Sequence, residues 1–285
     1  MKNNLIDISD KIDKETVDIL ESINGVTNEL QLPYFVVGAK ARDMIFELHF
    51  GLSIIRATQD IDISIHIPNW DQYDKLINAL TATGKFRSSG EPQRIFHNQT
   101  SIVIDVIPFG PVADNLNQVT LPPEHVMKLS VLGFDEANES TLDVKIRSEP
   151  ELIVKIVNLP GLALLKLIAW EDRKHLGNKD AKDLKYIIEN YLDAGNEDRL
   201  QYRHVDILTS VDYDYTQAGA KLLGLDLGMI SSKSTRNHII TMLEKETDES
   251  ETLLLAIQMT DPISDDLDSN LNLLRSFKDG VLLST

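Results

Sequence analysis

The run Gln59-Asp60-Ile61-Asp62-Ile63-Ser64-Ile65 sets two carboxylates at i, i+2 at the mouth of an alternating strand. A second strand-like run, Ile102-Val103-Ile104-Asp105-Val106-Ile107-Pro108, adds a third. Successive strand side chains point to opposite faces, so Asp60 and Asp62 are predicted to face one way and Ile61, Ile63, Ile65 and Ile67 the other. Two anions side by side repel, and a fold keeps such a pair where a cation sits between them. The chain has no cysteine, so the expected cation is hard and oxygen-seeking, Mg²⁺ or Mn²⁺. That combination points to phosphoryl-transfer chemistry. His66 shares the carboxylate face but lies roughly 13 Å beyond Asp62, too far along the strand for the same ion. The other histidines (His49, His97, His125, His175, His204 and His238) show no metal-ligand spacing and receive no role.

The elements that must position these acids follow from hydrophobic period. Val17, Leu20, Ile23 and Leu30 predict an opening helix over 14–30. Tyr34-Phe35-Val36-Val37-Gly38 reads as a short apolar strand, residues 39–50 as a helix, and 51–59 as a connector. The Asp60 strand stops at Pro68. Tyr73, Leu76, Ile77 and Leu80 make 71–83 an amphipathic helix closed by Gly84. Arg94–His97 and Thr100–Pro108 predict an antiparallel hairpin around Asn98-Gln99. Further strands are expected over 126–132, 141–146 and 151–158.

Pro160-Gly161 then opens the apolar helix Leu162–Trp170. Gly177 is placed to end it and Asn178 to cap the next, which runs to about Tyr191. Helices are expected over 216–230, 234–246, 249–259 and 266–277. The fold class is α+β, with a small mixed-sheet domain over 1–155 and a mainly helical domain over 156–285.

Composition narrows the function classes. The 285 residues carry a formal charge of −17, which argues against general nucleic-acid binding, because phosphate backbones are held by clustered Lys and Arg. A local basic patch through Lys166, Arg173, Lys174, Lys179, Lys182 and Lys185 is the exception, and a solvated helix face with pairs such as Lys179 and Asp183 explains it equally well. No window is apolar and long enough to span a bilayer, and residues 1–20 carry no signal-peptide core. Absence of cysteine excludes disulfides and thiolate zinc sites. The expected location is cytoplasmic.

Arg56-Ala57-Thr58-Gln59 precedes the two acids and the apolar alternation follows them. With Gly38 after one strand and Asp105 within another, this arrangement resembles the DNA polymerase β-like nucleotidyltransferase superfamily. Val36-Val37-Gly38-Ala39-Lys40-Ala41-Arg42-Asp43 is similar to the G-G-x-x-R-D stretch of tRNA nucleotidyltransferases. Lys166, Arg173, Lys179-Asp180 and Asp183 extend the likeness, over residues 34–190, to AbiEii-type nucleotidyltransferases, the toxins of type IV toxin–antitoxin systems.

The resemblance implies that Asp60, Asp62 and Asp105 hold Mg²⁺ (or Mn²⁺) and catalyse transfer of a nucleoside monophosphate from an NTP to a hydroxyl of RNA, tRNA included, or protein. It implies nucleotide-binding roles for Gly38, Ala39, Lys40, Arg42, Lys166, Asp180 and Asp183, and an antitoxin partner. Ala39 departs from the family's Gly or Ser and cannot donate a hydroxyl hydrogen bond to phosphate.

Plainer readings stand beside these. Asp60, Asp62 and Asp105 can be a capped strand end and a turn residue, and Gly38 can simply end a strand. Lys166 can snorkel from its apolar helix, and Arg42 can pair with Asp43 or Glu47. Asp180 and Asp183 suit surface or helix-start positions. Trp70 and Trp170 suit a core better than a base-stacking platform. At the level of function, a non-catalytic nucleotide sensor or interaction module is the alternative to the transferase, and a phosphohydrolase using the same acids ranks behind both.

Overall fold

Tyr34–Val37 buries four residues in succession, as a strand must when both sheet faces are covered. It lies within the mixed sheet around which the first half of the chain is built. The computed structural model describes residues 5–54, 58–122, 128–261 and 266–284. The chain separates into two compact units, Met1–Asn158 and Leu159–Thr285.

The first unit begins with β1 (Ile6–Asp7) and α1 (Lys14–Leu30), whose N-cap Asp13 accepts from the Thr16 backbone N–H at 2.7 Å. Then come β2 (Tyr34–Val37), α2 (Gly38–Asp43) and a wider π-helical continuation, Met44–His49. β3 (Ile61–His66) leads to α3 (Trp70–Ala82), capped by Asn69. β4 (Phe86–Ser88), β5 (Arg94–His97) and β6 (Val103–Phe109) follow, and then β7 (Gln118–Thr120), β8 (Lys128–Ser130) and α4 (Phe134–Glu139). β9 (Leu142–Arg147) and β10 (Leu152–Ile156) close the unit. Among the described residues the main sheet runs β1-β9-β10-β2-β3-β6-β5-β4, with β7 and β8 paired separately. β3 is antiparallel to β2 and parallel to β6. Its apolar side chains Ile61, Ile63 and Ile65 have no exposed surface, which fixes the register and so the face on which Asp62 stands.

The second unit is helical: α5 (Leu159–Arg173), α6 (Lys179–Glu189), a π-type turn at Leu192–Asn196, then α7 (Glu197–Arg203) and α8 (Val205–Ser210). α9 (Tyr215–Ile230), α10 (Lys233–Glu246), α11 (Leu254–Met259) and α12 (Leu267–Leu283) complete it. α9 and α12 touch backbone to backbone. A Cβ on Gly280 would overlap the Lys221 carbonyl, and one on Gly224 the Phe277 carbonyl.

Several expectations need correction. Asp60 lies just ahead of β3, and its side chain is exposed. α5 ends at Arg173, ahead of Gly177, and Asn178 occupies the N-cap of α6 without a side-chain capping bond. The helix expected over 249–259 starts only at Leu254. Of the strand expected over 126–132, Val126 and Met127 lie outside the described residues, and β8 covers Lys128–Ser130. No helix of the described residues is long and apolar enough to cross a membrane.

Candidate active site

Asp62 and Asp105 stand directly opposite each other on the adjacent parallel strands β3 and β6. Neighbouring strands run about 4.8 Å apart and paired residues share a face, so the two carboxylates project together. Both are half-buried. Asp60 precedes them on the solvent side, close enough to Arg94 for its charge to stabilise the guanidinium.

On the other side of β3, Val37 of β2 pairs with Asp62, and the chain turns at Gly38 with φ +69°. A Cβ at Gly38 would overlap the Asp62 carboxylate. Two independent constraints therefore require glycine: the left-handed φ and the close approach of the Asp62 carboxylate to the backbone. Gly38 opens the helical run through α2, and Ala39, the next residue, is buried.

Arg94, which sequence reasoning assigned no role, brings a cation to this site. On β5 it pairs in register with Asp105. Its Nε donates to Oδ1 at 2.8 Å and its Nη2 to Oδ2 at 3.0 Å. Nη1 donates to Glu91 Oε1 at 3.2 Å. The hydrogen bonds to Asp105 are the largest influence on the guanidinium, raising its pKa further above its ordinary value. Planar two-point pairing of this kind fixes a carboxylate in direction as well as charge.

Lys40 and Arg42, both expected to meet phosphate, diverge. Lys40 Nζ lies 3.5 Å from Asp13 Oδ2 and lines a cleft of about 150 Å³ with Lys11, Asp43, Glu47 and Thr58. Arg42 is wholly buried, and its Nε and Nη2 donate to Asp43 Oδ1 at 2.9 and 2.7 Å. Its plainer reading, a pair with Asp43, is what the structure shows. Burial is the largest influence on the Asp43 carboxyl and, against the pull of Arg42, leaves it above its ordinary value.

Lys166, Asp180 and Asp183 come together in the second unit. Lys166 Nζ donates to Asp180 Oδ1 at 3.2 Å and to Asp183 Oδ2 at 2.7 Å. Arg173 adds Nε to Asp180 Oδ2 at 2.6 Å and Nη2 to Oδ1 at 2.9 Å. All but Arg173 are buried. Burial alone would raise the Asp180 carboxyl, but Arg173 and Lys166 together hold it below its ordinary value. Lys166 therefore does not snorkel, and Asp180 and Asp183 are not surface charges. Nor is Lys166 part of a surface basic patch. Trp170 is core, 1 % exposed.

The donor set in the first unit fits a hard cation by type, being carboxylate oxygens alone. Among the described residues, no three Asp, Glu or His side chains are gathered closely enough to hold a metal ion. Of Asp60, Asp62 and Asp105, the last is held by the Arg94 fork.

A glycine turn thus lies against one strand carboxylate, with a second carboxylate in register on the next strand. The family profile described as "Nucleotidyl transferase AbiEii toxin, Type IV TA system" matches residues 45–257, and the chain belongs to that family. The match contains Asp60, Asp62, Asp105, Lys166, Asp180 and Asp183, and begins after the Gly38 turn. Among curated proteins there is no match. Similar solved structures include the antibiotic-resistance factor ANT(2'')-Ia, at 12% identity over 71% of this chain and 100% of that one, TM-score 0.33. The Thermotoga maritima CCA-adding enzyme complexed with tRNA is similar at 11% identity over 97% and 83%, TM-score 0.28. The Elizabethkingia meningoseptica CdnE cyclic dinucleotide synthase is similar at 9% identity over 92% and 89%, TM-score 0.29.

Proposed function

We propose that this nucleotidyltransferase is metal-dependent and moves a nucleoside monophosphate from an NTP to a hydroxyl of RNA or protein. We further propose that it acts as the toxin of a type IV toxin–antitoxin pair. The observation that carries the reaction is the registered pair Asp62–Asp105 with the Gly38 backbone pressed against Asp62.

Asp62 and Asp105, paired in register, with Asp60 just ahead of them, are the residues that would hold Mg²⁺ or Mn²⁺. Such an ion, when bound, neutralises charge on the triphosphate and acidifies the attacking hydroxyl. The backbone at Gly38, free of a side chain, lets the triphosphate approach the carboxylates closely. Lys40, the half-exposed cation of α2, neutralises the outer phosphates. Asp105 orients the acceptor hydroxyl and takes its proton as the new O–P bond forms at the α-phosphorus. The bond to the β-phosphate breaks and pyrophosphate leaves.

The test is pyrophosphate release from each of the four NTPs with Mg²⁺ or Mn²⁺, with total tRNA or cell lysate as acceptor. Release that vanishes in Asp60→Ala/Asp62→Ala is the expected result. NTP binding with no release under any condition would instead make this chain a nucleotide sensor. Orthophosphate as the product would make it a phosphohydrolase. Growth arrest on overexpression, relieved by the same double substitution, is the expected cellular counterpart.

A further inference from the structure

Both oxygens of Asp105 are already held by a cation of the chain itself. The Arg94 fork covers Oδ1 at 2.8 Å and Oδ2 at 3.0 Å, and Glu91 anchors the far end of the same guanidinium. β5 and β6 set the two residues opposite each other by strand register. The pair is neither deep core nor surface, since Arg94 keeps 31% and Asp105 22% of its side-chain exposure. A half-open salt bridge beside two further carboxylates can be exchanged for another cation. A closed one such as Lys166–Asp183, with 8% and 2% exposure, cannot be exchanged without stranding a buried charge.

We propose that Arg94 is a positioning residue that occupies Asp105 as a built-in counter-cation until metal and nucleotide arrive together. The proposal rests on the metal-dependent reading given above. While the fork is in place, Asp105 stays aimed along the face it shares with Asp62, and a lone divalent ion must compete with a guanidinium for its oxygens. When the metal–NTP complex enters, the triphosphate supplies the guanidinium with a better anion than one carboxylate. Arg94 then swings from Asp105 about its Glu91 anchor, leaving an Asp105 oxygen open to the acceptor hydroxyl. Arg94 thus couples metal occupancy to nucleotide occupancy and keeps the site inactive toward either alone.

The experiment is Mn²⁺ binding to the full chain, followed by electron paramagnetic resonance and titration calorimetry, with and without a non-hydrolysable NTP. Parent, Arg94→Met and Arg94→Lys proteins are compared, and circular dichroism confirms that each is folded. The parent is expected to bind Mn²⁺ weakly alone and on the order of tenfold or more tightly with nucleotide. In Arg94→Met, Mn²⁺ alone is expected to bind about tenfold better than in the parent, and the gain from nucleotide shrinks. Arg94→Lys, which keeps the charge but loses the fork, falls between. Unchanged or weaker Mn²⁺ binding by folded Arg94→Met, while the parent still binds Mn²⁺ with nucleotide, overturns the Arg94 role and leaves the metal reading standing. A parent that binds no Mn²⁺ even with nucleotide overturns both.

Discussion

The chain holds two clusters made of the same ingredients, aspartates with one or two cations, and treats them in opposite ways. In the first unit Asp62 and Asp105 are half-buried at strand ends, with Arg94 partly open to water. In the second, Lys166, Asp180 and Asp183 are shut inside the helices α5 and α6. Exposure decides what each cluster can do. Half-open charges can trade partners with an incoming ligand, whereas closed ones hold helices together and are costly to disturb.

The largest break in this comparison is Asp62→Ala. On the metal-dependent reading proposed above, loss of this carboxylate removes charge stabilisation of several kcal/mol, so pyrophosphate release should fall on the order of 10³-fold. The melting temperature should change far less than on loss of a fully buried charge, because the side chain removed is only half-buried. A large drop in melting temperature with activity retained would assign Asp62 to the framework instead.

The second unit should respond in the reverse sense. Lys166→Met keeps the apolar stem and leaves Arg173 on Asp180, but takes the Lys166 ammonium away from buried Asp183. Removing one partner from a buried charge cluster costs about 3–5 kcal/mol. Each unit carries its own tryptophan, Trp70 in α3 and Trp170 in α5, so Trp70→Phe leaves a fluorescence reporter of the second unit alone. Urea unfolding followed at Trp170 should shift strongly in Lys166→Met. An unmoved midpoint would mean that the cluster does not hold α5 to α6.

Gly38→Ala lies between these two effects. The added methyl must displace the Asp62 carboxylate and sits at φ +69°, where alanine is strained by about 1 kcal/mol or more. Activity should drop more than tenfold with modest loss of stability. Gly280→Ala meets a backbone carbonyl of α9 instead of a side chain, so it should cost about 1–3 kcal/mol in the second unit. Equal effects of the two substitutions on Trp170 unfolding would break the distinction.

The placement of Asp62 and Asp105 on strands was legible because strand alternation is a local signal. The helices of 12 residues or more were legible for the same reason, whereas β1, β4 and β7, at two or three residues each, are too short to carry a period. The Arg94–Asp105 pair was hidden by turn length. A hairpin centred on Asn98-Gln99 would set Arg94 opposite Val103. The actual turn runs from Asn98 to Ser101, with Ser101 at φ 60° and the Ser101 N–H bonded to the His97 carbonyl. That moves Asp105 opposite Arg94. The burial of Asp180 and Asp183 was hidden for another reason. Their helix has the charged composition of a surface helix, and only tertiary packing against α5 reveals that the Asp180–Asp183 face points inward.

The smallest and most diagnostic effect is on pH dependence, because the buried pairs of the two units titrate in opposite directions. Asp43 is held above its ordinary value of 3.8, chiefly by burial. Its folded form binds protons more readily than its unfolded form, so its contribution is fully present below 3.8 and is lost as pH rises through the folded value. Asp180 is held below 3.8, with Arg173 and Lys166 overcoming burial. Its contribution is fully present above 3.8 and is lost as pH falls from there toward the folded value. Acidification from pH 5 to pH 3 should therefore lower the urea midpoint read at Trp170 more steeply than the one read at Trp70 in the Trp170→Phe protein. Asp180→Asn should flatten the Trp170 slope, and Asp43→Asn should leave it alone. If the two reporters fell in parallel and Asp180→Asn changed neither, the Lys166 cluster would not be the source of acid sensitivity, and the contrast between an exchangeable and a closed charge cluster would lose its thermodynamic support.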